Sequence, residues 1–424
     1  MNILLINHYA GSPRHGMAYR PYYLAREWVR LGHRVHILAA NHSHIRTIQP
    51  ALTGAARLDE RIDGIDYSWF RTPGYDGNGV GRVRNMGAFV AALYRNAHQL
   101  ARTITPDVVI ASSTYPMDIW PAHRIAKQAG AQLLFEVHDL WPLSPIELGG
   151  MSRWHPFIML VQQAEDYAYR HANSVVSMLP KVRDYMVSRG LNPEKLHFVP
   201  NGIDPDEWRG DSPGLPEAAA TLLRGLREAG IAIVGYAGTH GVSNALETVL
   251  AAAALMRGEN VAFVLVGGGP AKASLHARAI REGLDSLHFL EPVEKSRVPA
   301  LLQCFDIAYI GWHRHPLYRF GIAPNKLMDY MMAARPVLHA VDAGNDPVRE
   351  AACGITVAPD DAHAVAEGIR VLLALPDEER AAMGRRGQAF VLEHLTYPVL
   401  GQRFLAACGA RTDPSNRTST TMSI

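Results

Sequence analysis

Five segments of this 424-residue sequence combine residue types that can hold an anion or move a proton. The most informative is Phe320-Gly321-Ile322-Ala323-Pro324-Asn325-Lys326-Leu327-Met328-Asp329-Tyr330. Proline is favoured at a helix start, so Pro324 marks one there. The amides of that first turn, with Lys326, are suited to clamp the oxygens of a nucleotide diphosphate. Asp329 falls one turn after Asn325 and shares its face, which suits it to accept hydrogen bonds from ribose hydroxyls. Met328, Tyr330 and Met331 read as core packing.

Four further segments set glycines or a histidine at the end of an apolar run. Gly235-Tyr236-Ala237-Gly238-Thr239-His240-Gly241 leads into a helical pattern near Asn244, which suits a diphosphate; a plain βα turn is the alternative. Asn7 to Gly16 carries two glycines that let backbone amides approach a ligand ahead of a helix, against the alternative of an ordinary Gly/Pro loop. Gly267-Gly268-Gly269-Pro270-Ala271-Lys272 imitates a dinucleotide fingerprint, with Glu291 ending the next strand. Lys272 occupies the place of the third glycine, so a tight turn near a base or phosphate is the better reading than NAD binding. In Glu136-Val137-His138-Asp139-Leu140-Trp141-Pro142, His138 closes a buried strand, placed to hydrogen-bond a sugar or accept a proton near neutral pH. A structural His138–Asp139 pair is the alternative. His313 and His315 flank Arg314 as loop residues without zinc spacing.

The elements that must position these groups follow from the hydrophobic pattern. Strand candidates in the first half are 2–7, 34–40, 65–71, 107–112, 131–137 and 174–178, and helical patterns separate most of them. The cluster Phe198 to Pro205, with the polar stretch to Pro216, reads as a linker. The pattern restarts at 231–237, 261–267, 287–290, 306–310 and 336–340. The fold class is therefore α/β, with two Rossmann-like doubly wound lobes facing across a cleft and ligands at the carboxyl ends of the strands. The expected lobes are 1–203, completed by a helix at 396–410, and 204–395, with 411–424 a polar disordered tail. The loops 41–64 and 72–87 carry no readable code.

Composition narrows the class. With 48% hydrophobic and 19% charged residues the chain buries a real core, and a net charge of +2 gives no reason to expect nucleic acid as a partner. Three separated cysteines (Cys304, Cys353, Cys408) make neither a disulfide framework nor a zinc motif. Met1–Asn7 is too short for a signal sequence and reads as a strand, so a cytoplasmic protein is expected. The segment 82–102 is basic and amphipathic; it reads either as a helix lying on anionic lipid at the inner face of the membrane or as a core-facing helix with solvated arginines.

Taken in order, the opening loop, "GHRVHIL", "HDLWP", "VPNGID", "GYAGTHG", "LVGGGP" and "APNKLMDYM" resemble the retaining glycosyltransferases of the GT-B fold, glycosyltransferase family 4. They are most similar to the branch that builds bacterial O-antigen and capsule polysaccharides with amino sugars, and the resemblance runs to about residue 408. It implies a UDP-sugar donor, an N-acetylamino sugar, a saccharide or polyprenyl-diphosphate-linked acceptor, and no cofactor or metal. Gly16, Gly238, Thr239, His240, Gly241, Gly267, Gly268, Pro324, Asn325, Lys326, Leu327 and Asp329 are then expected around the donor. Gly11, Arg14, His15 and Asp139 are expected toward the acceptor, with His138 and Lys326 in the chemistry.

Two departures stand out. Of the family's Glu-x7-Glu pair, this chain has Gly321 and Asp329; the basic pair after the second lobe's first strand falls on Thr239 and Asn244. Charge neutralisation is then expected from backbone amides, Lys326 and either His240 or Arg14. A sugar-nucleotide-binding protein without activity and a GT-B-fold epimerase are the alternatives, the latter disfavoured by the missing carboxylate at 321.

Overall fold

Runs such as Ile3-Leu4-Leu5-Ile6 and Val108-Val109-Ile110-Ala111 have no polar side to offer water, and both form fully buried strands. The structure is a computed structural model describing residues 1–17, 19–77, 79–210 and 212–409; the tail assigned to 411–424 lies outside the described residues. The chain divides into two units, Met1–Asn201 joined by the segment from Tyr397, and Gly202–Thr396.

The first unit has eight strands: β1 (Asn2–Ile6), β2 (Arg34–Ala40), β3 (Arg57–Ile62), β4 (Ile65–Phe70), β5 (Val108–Ala111), β6 (Gln132–Val137), β7 (Ser174–Ser177) and β8 (Leu196–Phe198). Their order is β3-β4-β2-β1-β5-β6-β7-β8, parallel except for the β3–β4 hairpin. That hairpin corrects the reading of 41–64 as loop throughout. Its turn is Asp63-Gly64, with φ of 50° and 81°, the paired positive angles that a two-residue hairpin turn requires.

The long helices of this unit are α1 (Arg20–Arg30), α2 (Val80–Ile104), α3 (Ile119–Ala129) and α4 (Pro156–His171). Along α2, Met86, Phe89, Leu93, Ala97 and Leu100 are all buried. The apolar stripe of 82–102 is thus used on the core, in keeping with the core-facing alternative for this segment.

In the second unit the strands are β9 (Ala232–Ala237), β10 (Val261–Val266), β11 (Leu287–Leu290), β12 (Ile307–Gly311), β13 (Val337–Ala340) and β14 (Gly354–Val357). All neighbours are parallel, in the order β11-β10-β9-β12-β13-β14. The order reverses between β9 and β12, so the loops leaving their carboxyl ends diverge and open a crevice. Its helices include α5 (Leu246–Leu255), α6 (Lys272–Glu282), α7 (Asn325–Met332) and α8 (Asp377–His394).

The last helix, α9 (Tyr397–Ala407), belongs to the first unit and packs on α1. Tyr397 stacks on Tyr23 with centroids 4.7 Å apart, and the Trp28 indole donates to the Gly401 carbonyl at 3.1 Å. Leu400 and Phe404 are completely buried, worth about 1.5–3 kcal/mol each. Among the described residues no helix is long and apolar enough to cross a membrane.

Candidate functional site

The α7 helix begins at Asn325, capped by an extended Pro324. Leu327, Met328 and Met331 are buried in the core and fix the helix against the sheet. The Leu327 side chain therefore faces inward, which leaves only its backbone amide to the helix start. Lys326 instead reaches the carboxyl end of β9. Its Nζ donates to the Tyr236 hydroxyl at 2.9 Å and to Asn244 Oδ1 at 2.6 Å, and lies 4.8 Å from the Tyr236 ring centre. Tyr236 and the Asn244 amide both donate to the Thr239 carbonyl, at 2.7 and 3.0 Å, so each offers Lys326 only an acceptor. Asn244 thus fixes the Lys326 ammonium from one side. Burial lowers the Lys326 pKa to about 8.

The turn before α7 explains why position 321 carries no acid. Gly321 has φ 102° and ψ 177°, a region that only glycine occupies without strain. Asn345 holds the next residue from both sides, accepting from the Ile322 amide at 2.7 Å and donating to its carbonyl at 3.1 Å. Neither Tyr236 nor Asn345 was assigned from sequence. Tyr236 stands in the glycine segment 235–241 but 90 residues from Lys326, and no local motif marks Asn345.

The two glycine loops of this unit lie back to back. The His240 amide donates to the Gly268 carbonyl at 2.8 Å and the Ala271 amide to the His240 carbonyl at 3.0 Å. A Cβ on Gly267 would stand 1.9 Å from the Gly238 carbonyl oxygen, so only glycine permits this approach. Gly238, Thr239, His240, Gly241, Gly267 and Gly268 therefore share one corner with Lys326. The His240 ring is fully buried, and its pKa is lowered by burial, then by Lys272 and Lys326. The ring is neutral, which corrects its reading as a source of positive charge. Lys272 donates to Glu291 at 2.9 Å, so the carboxylate of the fingerprint-like stretch is engaged with its own loop.

Asp329 sits lower on α7, toward Lys295, which is itself paired with Glu207 at 2.7 Å. Burial raises the Asp329 pKa to about 7 despite the attraction of Lys295. A surface cavity of about 620 Å³ lies away from this crevice, between α8 and the turn Ala333–Pro336 at the amino end of β13. Among the described residues no cluster of His, Cys, Asp and Glu is arranged to hold a metal ion.

In the first unit His138 is organised by a buried ion pair. Arg20, the first residue of α1, donates to Glu136 Oε1 at 2.7 Å and to the Val199 carbonyl at 2.9 Å, and also to the Pro200 carbonyl. Burial opposes ionisation of Glu136, but Arg20 and then His138 hold its pKa well below the usual range. Ser112 donates to Glu136 Oε2 at 2.6 Å, so its hydroxyl can only accept from His138 Nε2, 3.0 Å away. In the neutral ring that leaves Nδ1 as the acceptor. The carboxylate partner of His138 is thus Glu136, at 3.4 Å; Asp139 accepts from the Leu140 amide instead.

The opening loop is braced by other elements of the first unit: Arg46 donates to the Ala10 carbonyl at 2.5 Å and the Tyr67 hydroxyl to the Gly11 carbonyl at 3.1 Å. His15 is buried, bonded to Ser12 at 2.8 Å and packed on Trp69, and its pKa is lowered by burial. This corrects its reading as an acceptor contact. A Cβ on Gly11 would strike the Met17 carbonyl and one on Gly16 the Thr47 hydroxyl, so both glycines have packing reasons of their own. Arg14 is exposed on a single turn of 3-10 helix.

Comparison with known proteins gives this geometry its family. Residues 15–202 match the model of a glycosyl transferase 4-like domain, and residues 231–374 match that of glycosyl transferases group 1. The chain is 24% identical over 266 residues to WcaI of Escherichia coli (strain K12), named for glycosyl transfer in colanic acid biosynthesis; that match spans 61% of this chain and 64% of the relative. It is 28% identical to the D-rhamnosyltransferase WbpZ of Pseudomonas aeruginosa over 46% of this chain and 48% of the relative. Its fold is shared with Anabaena Alr3699/HepE, solved with UDP and glucose (TM-score 0.64, 16% identity, 97% and 100% of the two chains covered). It is also shared with an E. coli trehalose-6-phosphate protein bound to UDP-2-fluoro glucose (TM-score 0.70, 12% identity, 96% and 98% covered). The chain belongs to the family-4-like glycosyltransferases of the GT-B fold.

Proposed function

We propose that this glycosyltransferase moves an N-acetylamino sugar from a UDP donor to a saccharide carried on a polyprenyl diphosphate, with retention, in cell-surface polysaccharide synthesis. The observation that carries the reading is the Lys326 ammonium, fixed by Tyr236 and Asn244 beside the first turn of α7 and the paired glycine loops. As the bond from the sugar's anomeric carbon to the diphosphate breaks, negative charge grows on the leaving oxygens. Lys326 and the amides around Asn325 and Gly238 would stabilise it without reorganising. The acceptor hydroxyl bonds to the same carbon on the same face, and its proton passes to the departing phosphate. Asp329 would accept from the ribose hydroxyls, and His138 Nδ1 from a sugar hydroxyl. Positive charge from the protein suffices in this scheme, so no metal or cofactor enters it.

The complete enzyme, incubated with a radiolabelled UDP-N-acetylamino sugar and a lipid-linked saccharide, should form labelled lipid-linked product whose new linkage keeps the donor's anomeric configuration. Release of free sugar alone, or an epimerised nucleotide sugar, would contradict the reading.

Donor binding should follow a bell in pH. Asp329, near 7, must be ionised to accept two hydroxyls, so affinity falls below that value. Lys326, near 8, must be protonated to meet the diphosphate, so affinity also falls above it. Calorimetric titration of UDP from acid to alkaline pH should show both limbs, about tenfold per unit at the extremes. Asp329→Asn should remove only the acid limb and Lys326→Arg only the alkaline one. A flat profile counts against both assignments.

A further inference from the structure

The cavity between α8 and the turn Ala333–Pro336 has no role in the transfer scheme. Asp306 stands directly before β12 and Pro336 directly before β13, so the cavity lies at the end of the sheet opposite Lys326 and the glycine loops. The five residues of β12, roughly 16 Å of parallel strand, separate the two places. A volume of about 620 Å³ falls within the range of small-molecule sites.

Close packing shapes it. α7 ends where Ala334 takes φ 53°, turning the chain back toward β13. α8 passes tightly over that turn: a Cβ on Gly384 would stand 1.9 Å from the Ala334 carbonyl oxygen, and Gln388 donates to the Met332 carbonyl at 2.8 Å. Asp377, Ala381, Arg385 and Gln388 recur at intervals of three or four, so one face of α8 forms a wall. Another wall carries Trp208, which ends the turn Pro205–Trp208 and is partly packed into the core.

The lining carries charges of both signs, and its cations are incompletely matched. Arg335 is partly buried and donates to the Gln303 carbonyl, yet its buried Nε has no hydrogen-bond partner among the described residues. Burial lowers its pKa; Asp306 opposes that shift and Arg227 adds to it. Arg380 braces the Leu373 and Leu375 carbonyls at 2.9 and 2.6 Å and pairs with Asp377, while Arg385 pairs with Glu378 at 2.6 Å. The side chains of both these acids are almost wholly exposed, 95% and 82%, so the pairs are worth little and exchange readily for a better-fitting anion. Asp306 and the amides of Gln303 and Gln388 add groups that suit hydroxyls. An inorganic anion would use the guanidinium groups alone, and a phosphate dianion would be set against Asp306. A sugar bearing one carboxylate uses the whole lining. Its carboxylate meets the arginines, its hydroxyls the carboxylate and amide side chains, and the apolar face of its ring the Trp208 indole.

We propose that this cavity is a second carbohydrate site, which binds a saccharide carrying a carboxylate, such as a uronic acid residue, apart from the crevice that holds the donor. The proposal deepens the reading of polysaccharide synthesis, in which such a saccharide is a segment of acceptor or product. Binding is scored without any transfer assay, so the two fail separately.

The test is calorimetric titration of the full chain, in saturating UDP, with a disaccharide ending in glucuronic acid, with its methyl ester and with glucose 6-phosphate. The acid should bind, and the ester should bind at least about tenfold more weakly, the usual loss when a charge-assisted hydrogen bond is removed. The sugar phosphate should also bind more weakly than the acid. Arg385→Glu alters an exposed side chain, and unchanged thermal melting verifies its fold. It should weaken the acid by about tenfold or more and leave UDP affinity as it is. Lys326→Ala should do the reverse, losing UDP and keeping the acid. Absence of binding by the acid at millimolar concentration overturns the proposal, as does equal binding of the ester or tighter binding of the phosphate. Undiminished binding of the acid by Arg385→Glu overturns it too, because the sugar then sits elsewhere on the chain.

Discussion

Lys326→Ala is expected to lower sugar transfer by about 10²–10³-fold, the usual effect of removing one preorganised group that meets charge developing in the transition state. The loss should fall on kcat as well as on donor affinity, because the diphosphate carries more charge as it departs. The fold should not suffer. A lysine whose pKa is depressed to about 8 in the folded chain is costly to charge there, so below pH 8 the fold bears that cost in full. Between about 8 and the unfolded value of 10.5 the cost is progressively relieved. Lys326→Met should therefore melt slightly higher than the wild type at neutral pH, and the difference should shrink as pH rises. An inactive, more stable variant separates a functional cation from a structural one; retained activity would remove Lys326 from the site.

The second large effect is expected in the first unit. Arg20→Met leaves Glu136 charged and buried, with the Val199 and Pro200 carbonyls deprived of their donor. Breaking such a pair from one side costs about 3–5 kcal/mol. In a unit of this size that is a fall of roughly 10 °C in melting temperature. Pairing the change with Glu136→Gln should recover much of the loss, because an amide needs no counter-charge. The double variant should nevertheless transfer poorly, since the orientation of His138 depends on Ser112 donating to a carboxylate. If Arg20→Met melts with the wild type, the pair does not hold this end of the sheet together. The depressed Glu136 pKa has a sign of its own: its contribution is present above the ordinary carboxylate pKa and lost as the solution is acidified below it.

What the sequence disclosed and what it withheld divide along chain distance. The helix start at Pro324, and with it the helical placement of Lys326 and Asp329, was legible because helix starts and helix faces are local chemistry, decided within one or two turns. The partners that give them meaning were not. Tyr236 meets Lys326 across 90 residues and Arg20 meets Glu136 across 116, and neither pairing leaves a trace in the spacing of either segment. His15 and His240 misled for a related reason: a histidine in a glycine loop looks available until its burial is known. The β3 strand was a different kind of omission. Its Asp63-Gly64 turn is a strong local signal, but Arg57-Leu58-Asp59-Glu60-Arg61-Ile62 is so polar that an edge strand resembled a loop.

The return of α9 onto α1 also sets the order in which the molecule can be completed. Trp28 and Tyr23 appear early in synthesis, but Gly401, Phe404 and Tyr397, which cover them, emerge some 370 residues later, as the 373-residue span of the Trp28–Gly401 bond shows. Domains generally fold as units during synthesis, and apolar surface left open meanwhile is prone to association. The first unit is thus begun first and finished last, and a nascent chain halted at Thr396 carries two uncovered aromatic rings on α1. Chaperone demand for this enzyme should be set by the time taken to translate the second unit, not by the size of the first.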